Sequence, residues 1–289
     1  MPVTALPSPY GVGTMGKAAR EFIQFLKEAK QTCWQILPLN PTSYGDSPYQ
    51  SFSSFAGNPY LIDLDDLQAE GLLEQRDYKD LNWGSNPEQV DYGLLYQNRF
   101  SVLKKAVEKL PQVYGEQFQT FCTEQVEWLD NYALFMALKD AFGGVAWSEW
   151  TEELRCREPQ AVEQAQKQYA DQITFWKGVQ FLFFHQWSVL KTLANENGIS
   201  IIGDVPIYVA LDSADVWANP QEFQLDENRN PTEVAGCPPD GFSADGQLWG
   251  NPLFQWDKMK EDGYRWWMKR IEFQFTICDI LRIDHFRGF

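Results

Sequence analysis

The run Asp279-Ile280-Leu281-Arg282-Ile283-Asp284-His285-Phe286-Arg287-Gly288-Phe289 constrains this chain most. Its apolar residues predict a β-strand over 277–284, and residues two apart on a strand project to one face. Arg282 and Asp284 therefore emerge side by side, a guanidinium beside a carboxylate, at the strand's carboxyl end. Two earlier runs have a related character. Trp34-Gln35-Ile36-Leu37-Pro38-Leu39 reads as a strand buried on both faces, and Ile199-Ser200-Ile201-Ile202-Gly203-Asp204-Val205-Pro206 as another with Asp204 at its C-terminal end. Strands that alternate with helices and carry chemistry at their C-termini fit a (β/α)8 barrel or an open doubly wound sheet. A barrel gathers its active-site loops on that face, so the expected fold class is α/β, with a TIM barrel preferred.

The segments between the strands are unequal. An amphipathic helix is predicted over 17–31, with Ala19, Phe22, Ile23, Leu26 and Ala29 at helical spacing. A long loop, 40–60, places Tyr44, Tyr49, Phe52 and Phe55 among Ser, Asn and Gln, a mixture of stacking faces and uncharged hydrogen-bonding groups suited to polyhydroxy ligands. Helices are expected near 65–74, 92–110, 115–142 and 158–197, the last closed by Gly198. His185, in the apolar part of that helix, reads as a packing residue. A second long loop spans 207–256, and a helix is expected over about 257–275. The predicted organisation is a partial barrel from 1–64 and 199–289, with an active-site loop insertion at about 207–256 and a mainly helical inserted subdomain over 65–198.

Composition narrows the function classes. A formal net charge of −16 argues against nucleic acid and anionic membranes as partners, since both reward basic patches. The chain holds 12 Trp, 12 Tyr and 20 Phe, most of which the core can absorb, though Trp and Tyr also suit the C–H faces of sugar rings. Cys33, Cys122, Cys156, Cys237 and Cys278 are scattered and odd in number, and with His185 and His285 they form no zinc-like spacing; reduced thiols and no metal or cofactor are expected. The N-terminus has neither a basic region nor a long apolar run, and no stretch is long enough to span a bilayer, so a cytoplasmic location is expected. Gly11, Gly13 and Gly16 spell a dinucleotide-like pattern, but Pro2, Pro7 and Pro9 break any strand before it. The next strand ends in Asn40 rather than an acid, so a plain glycine-rich turn is the better reading.

Several stretches together resemble one family. They are Ser8-Pro9-Tyr10-Gly11-Val12-Gly13, the whole of 35–64, Gly203-Asp204-Val205-Pro206-Ile207-Tyr208-Val209, Val216-Trp217-Ala218, Ala235-Gly236-Cys237-Pro238-Pro239-Asp240, Trp249-Gly250-Asn251-Pro252 and Arg282-Ile283-Asp284-His285-Phe286-Arg287-Gly288. In order and along nearly the whole chain, they resemble the 4-α-glucanotransferases, the amylomaltases or disproportionating enzymes of glycoside hydrolase family 77 in the α-amylase superfamily. The resemblance implies a retaining enzyme that cleaves α-1,4-glucosidic bonds in maltooligosaccharides, amylose or other α-1,4-glucans and passes the glucosyl chain to another sugar's 4-hydroxyl. It implies Asp284 as nucleophile and Arg282 as its orienting cation. Asp204 would position substrate, Tyr49 would stack on the sugar at the cleavage point, and Asp240 and Trp249 would belong to a loop over the site. His285 would bond sugar hydroxyls or pack beside the nucleophile, and Tyr44 would belong to a secondary glucan site.

A retaining glycosidase needs a second carboxyl group about 5 to 5.5 Å from the nucleophile. The resemblance puts that glutamate, and a further stabilising aspartate, beyond Phe289; Met1–Ala5 barely supplies a first strand. The expectation is an incomplete piece of the protein with barrel strands two to four. Glucan hydrolysis and non-catalytic glucan binding by this chain alone remain the alternatives.

Overall fold

The computed structural model describes residues 1–288 except Tyr44, Pro87, Asp240 and Phe242, and Arg287 by its backbone only. In chain order the elements are α1 (Lys17–Glu28), β1 (Cys33–Gln35), α2 (Leu64–Ala69), α3 (Tyr92–Val113), α4 (Gly115–Glu124), α5 (Val126–Ala141), α6 (Glu152–Arg155), α7 (Pro159–Gln168), α8 (Ala170–Glu196), β2 (Ser200–Val205), α9 (Ala214–Ala218), β3 (Val234–Cys237), β4 (Gln247–Pro252), α10 (Trp256–Glu261), α11 (Arg265–Ile277) and β5 (Ile280–Ile283). Among the described residues, β1, β2 and β5 form a parallel sheet with β2 central, and β3 and β4 pair as an antiparallel ribbon. Parallel neighbours need long crossovers. Here these are the helix-rich 36–199 and the loop-rich 206–279.

The first strand is shorter than its apolar run. Ile36 still donates to Ile202 O at 2.9 Å, but Pro38 has no N–H, and Leu39 O accepts instead from Asn58 at 2.8 Å. Residues past Ile36 thus leave the sheet and begin the 40–60 loop. Two predicted helices are each divided: 115–142 at Gln125 and 158–197 at Tyr169, both in non-helical backbone. The predicted 257–275 helix is likewise split into α10 and α11, with Tyr264 left-handed at φ 59°. The 207–256 stretch, read as loop, contains α9 and the β3–β4 ribbon.

Gly11 is left-handed at φ 82°, and a Cβ on Gly13 would lie 2.1 Å from Val3 O, so these glycines serve a tight turn. No described helix is long and apolar enough to cross a membrane, and the five cysteines are free thiols.

Two hydrophobic clusters fill the interior. One joins α1, α3 and α8 to the sheet through residues such as Ile23, Trp34, Leu103, Phe183 and Ile201. The other lies around α5, α9 and α11, through Phe135, Trp150, Trp217, Phe254 and Trp267. Helix α8 also holds the 57–63 segment by polar bonds. Gln180, fully buried, accepts from Gly57 N at 2.7 Å and donates to Gly57 O at 3.0 Å; Gln186 does the same to Asp63 at 2.7 and 3.0 Å. Each side-chain amide satisfies both backbone groups of an extended residue, as a neighbouring strand would. His185, between them on α8, lies 3.3 Å from Tyr114 Oη and stacks on Phe181.

Replacing one of these glutamines by an apolar residue strands a buried N–H and C=O together. Gln180→Leu should lower the urea-unfolding free energy by about 1–3 kcal/mol per stranded group. An unchanged midpoint would show that water or a shifted backbone replaces the amide.

Candidate active site

Parallel pairing sets Asp204 on β2 opposite Arg282 on β5. Arg282 reaches both nearby acids: Nη1 donates to Asp204 Oδ1 at 2.9 Å, and Nη2 lies 3.0 Å from Asp284 Oδ2. The acids differ in environment, since the Asp204 side chain is 2% exposed and that of Asp284 43%. Tyr49 Oη donates to the other oxygen of Asp204 at 2.9 Å. Both oxygens of the buried carboxylate are thereby satisfied, as its burial requires.

Asp284 Oδ1 accepts from the His285 backbone amide at 3.0 Å, and the His285 ring nitrogen Nε2 stands 3.9 Å from Oδ2. His285 itself is left-handed at φ 49°, an uncommon conformation for a residue with a Cβ. It turns the chain directly after the acid. Its ring lies 4.8 Å from that of Trp249 on β4, and Trp249 is 6.2 Å from Tyr208.

Partial burial pushes the Asp284 carboxyl up, but the His285 amide, the His285 ring and Arg282 outweigh it, so the group titrates below the ordinary aspartate range. The two carboxylates, Asp204 first, hold Arg282 above its usual value. Tyr49 is pushed up to about 12 by burial and by its bond to Asp204, which keeps it a protonated donor at neutral pH.

The structure therefore brings Arg282, Asp284, Asp204, Tyr49, His285 and Trp249 into one connected group. Tyr44 and Asp240 lie outside the described residues. Two other loop aromatics are packing residues: Phe52 lies under Lys139 and against Phe135, and Phe55 stacks on Trp128 and meets Phe273. Tyr49 is 40% exposed at the mouth of the group. Three residues not singled out from sequence complete the surroundings. Tyr208 stacks on Phe254, and Gln50 donates to Asn251, whose amide in turn donates to Val209 O at 2.8 Å. Tyr208 follows Asp204 by four residues in the same motif-like stretch, which is the signal that could have marked it. Gln50 and Asn251 also lie in motif-like stretches, but they are 201 residues apart and nothing local pairs them.

The chain matches the 4-alpha-glucanotransferase family over residues 1–289 and belongs to it. It is 48% identical to a 4-alpha-glucanotransferase of Clostridium butyricum over all of this chain and 60% of that protein. It is 51% identical to the 4-alpha-glucanotransferase of Thermus thermophilus over 99% of this chain and 57% of that protein. Among solved structures, an amylomaltase from Streptococcus agalactiae in complex with acarbose superposes with a TM-score of 0.96 at 45% identity, covering all of this chain and 59% of that one. The fold is thus the α/β fold of that structure, and the chain spans about three-fifths of the length of these relatives.

A carboxyl group held below its unfolded value, near 3.9, adds stability that is fully present above that value and is lost as pH falls through the lower folded one. The stability difference between wild type and Asp284→Asn should therefore shrink on acidification below about pH 4. A difference that grows in acid, followed by urea unfolding at each pH, would contradict the ionised contact with Arg282.

Proposed function

We propose that this chain is the N-terminal part of a cytoplasmic 4-α-glucanotransferase that disproportionates maltooligosaccharides and longer α-1,4-glucans by a retaining mechanism. The observation that carries the reading is the pairing of Arg282 with Asp284 at a strand's carboxyl end, in a chain of this family. Asp284 is the nucleophile. It is partly exposed, ionised at neutral pH, and oriented through both oxygens by Arg282 and the His285 amide. That is the state in which a carboxylate attacks an anomeric carbon. Asp204, committed to Arg282 and Tyr49, positions rather than reacts. Tyr49, Trp249 and His285 offer rings and polar tips to the sugar, Asp240 belongs to the covering loop, and Tyr44 to a secondary glucan surface.

In this reading the three parallel strands belong to a (β/α)8 barrel built from 1–64 and 199–289, with the 65–198 insertion packed beside it. The acid/base carboxyl group is read as belonging to a part of the full-length protein outside this chain, which spans about three-fifths of the length of its relatives. The glucosyl–enzyme ester forms on Asp284 as that acid protonates the leaving 4-oxygen. A second sugar's 4-hydroxyl then gives its proton back to the same group as it displaces the ester.

Full-length protein incubated with maltotriose should give glucose and longer maltodextrins. Glucose and maltose without longer products would replace the transferase with a hydrolase. Asp284→Asn should cut transfer by more than about a thousandfold while acarbose binding survives; retained turnover would remove Asp284 from the nucleophile's role.

A further inference from the structure

Helix α11 leads into the strand that carries Arg282 and Asp284, and its buried face reaches the other two parts of the site. Arg270, 2% exposed, donates from Nη1 to Ile207 O at 2.9 Å and from Nη2 to Pro206 O at 2.5 Å. The β2 ladder ends at Val205, so these two carbonyls lie just past the sheet, directly after the strand end that holds Asp204. The guanidinium lies near two aromatic rings, 4.7 Å from that of Trp267 and 5.5 Å from that of Trp266. One helical turn on, Gln274 donates to Ser54 O at 3.2 Å, while Asp215 on α9 accepts from Ser54 N at 2.6 Å. Ser54 stands five residues after Tyr49. Asp215 is 4% exposed and feels the Arg270 charge across the same core. Burial pushes this acid up to about 6 and Arg270 down to about 10.

We propose that Arg270 and Asp215 are positioning residues for the reaction: buried Arg270 holds the strand end bearing Asp204 to the helix that sets Arg282 and Asp284, and buried Asp215 holds the loop bearing Tyr49 to α9. The inference rests on the transferase reading of the site. Packing alone gives no reason for an arginine here, since a buried charge contributes little net stability and a well-packed apolar residue often does better. What an apolar residue cannot do is hold two adjacent carbonyls in one fixed plane, as a rigid guanidinium fork can. Neither Arg270 nor Asp215 touches the exposed face of Asp284, so their effect is on geometry.

The test uses the full-length protein with Arg270→Met, Arg270→Lys and Asp215→Asn. Each is assayed for maltotriose disproportionation and acarbose affinity, with the folded fraction from circular dichroism and amide hydrogen exchange read over 206–211 and 52–56. Folded Arg270→Met should lose kcat by about 10- to 100-fold, as a misplacement near 1 Å does. Arg270→Lys, which keeps the charge but not the fork, should recover part of that loss. Exchange over 206–211 should quicken in the Arg270 variants, and over 52–56 in Asp215→Asn. Wild-type kcat in folded Arg270→Met, or a loss that follows only the folded fraction, would overturn the proposal. If Arg270→Met fails to fold, Arg270→Lys with wild-type kcat and wild-type exchange overturns it equally. Should the wild type itself show no transfer, the transferase reading fails. Hydrogen exchange then decides the positioning inference alone, and unchanged exchange in the variants overturns it.

Discussion

The site depends on one cation shared between two acids. Asp204 is almost wholly removed from water, and an unpaired carboxylate there would be expensive to bury. Arg282 supplies the compensating charge and Tyr49 the second hydrogen bond. Because the same guanidinium also meets Asp284, the three groups carry a net charge of one negative unit, and Asp284 is the acid of the two that water reaches. The arrangement stands only while β2 and β5 hold their register, since a slip of one residue would turn Arg282 to the opposite face.

Register in a three-stranded parallel sheet is maintained from outside the sheet. Lys191 on α8 donates to Phe275 O at 3.0 Å and Cys278 O at 3.1 Å, and Trp187 to Ile277 O at 3.0 Å. A cation at the C-terminus of α11 satisfies carbonyls that the helix leaves open. The same helix α8 holds residues 57 and 63 through Gln180 and Gln186. One long helix thus fixes both the entry to β5 and the exit from the Tyr49 loop. Its buried residues spread well beyond one stripe because it touches partners on several sides.

Strand ends were legible because a period of two is a strong local signal: Arg282 and Asp284 share a face, and Ile201, Gly203 and Val205 are buried as a central parallel strand requires. The β3–β4 ribbon was not, for Val234–Cys237 and Gln247–Pro252 show no apolar alternation and contain Gly236 and Gly250. Breaks at Gln125 and Tyr169 were also invisible, because neither residue is a helix breaker. The 40–60 loop was legible as unusual but not in its division of labour. Tyr49 faces Asp204 while Phe52 and Phe55 face helices, a distinction made by partners far away in sequence. The ties of Arg270 to Ile207 and of Ser54 to Asp215 share that long-range character.

The direction of hydrogen bonding through the site follows from which groups keep their protons. Tyr49, held protonated, must donate to Asp204, and Arg282 can only donate, so Asp204 accepts from both, and its 2% side-chain exposure keeps the rest of the group away from solvent. At Asp284 the donors are a backbone amide on one oxygen and a guanidinium on the other. Each oxygen retains a second lone pair, and the exposed side of the group leaves them toward solvent. The pattern that buries one carboxylate thus leaves its neighbour ionised, oriented and partly exposed. An acid in the position of Asp204 could not exchange roles with Asp284 without first losing Tyr49 or Arg282. The asymmetry between the two therefore comes from their surroundings, burial and the Tyr49 hydroxyl for one and exposure and the His285 amide for the other, and not from the carboxylates themselves.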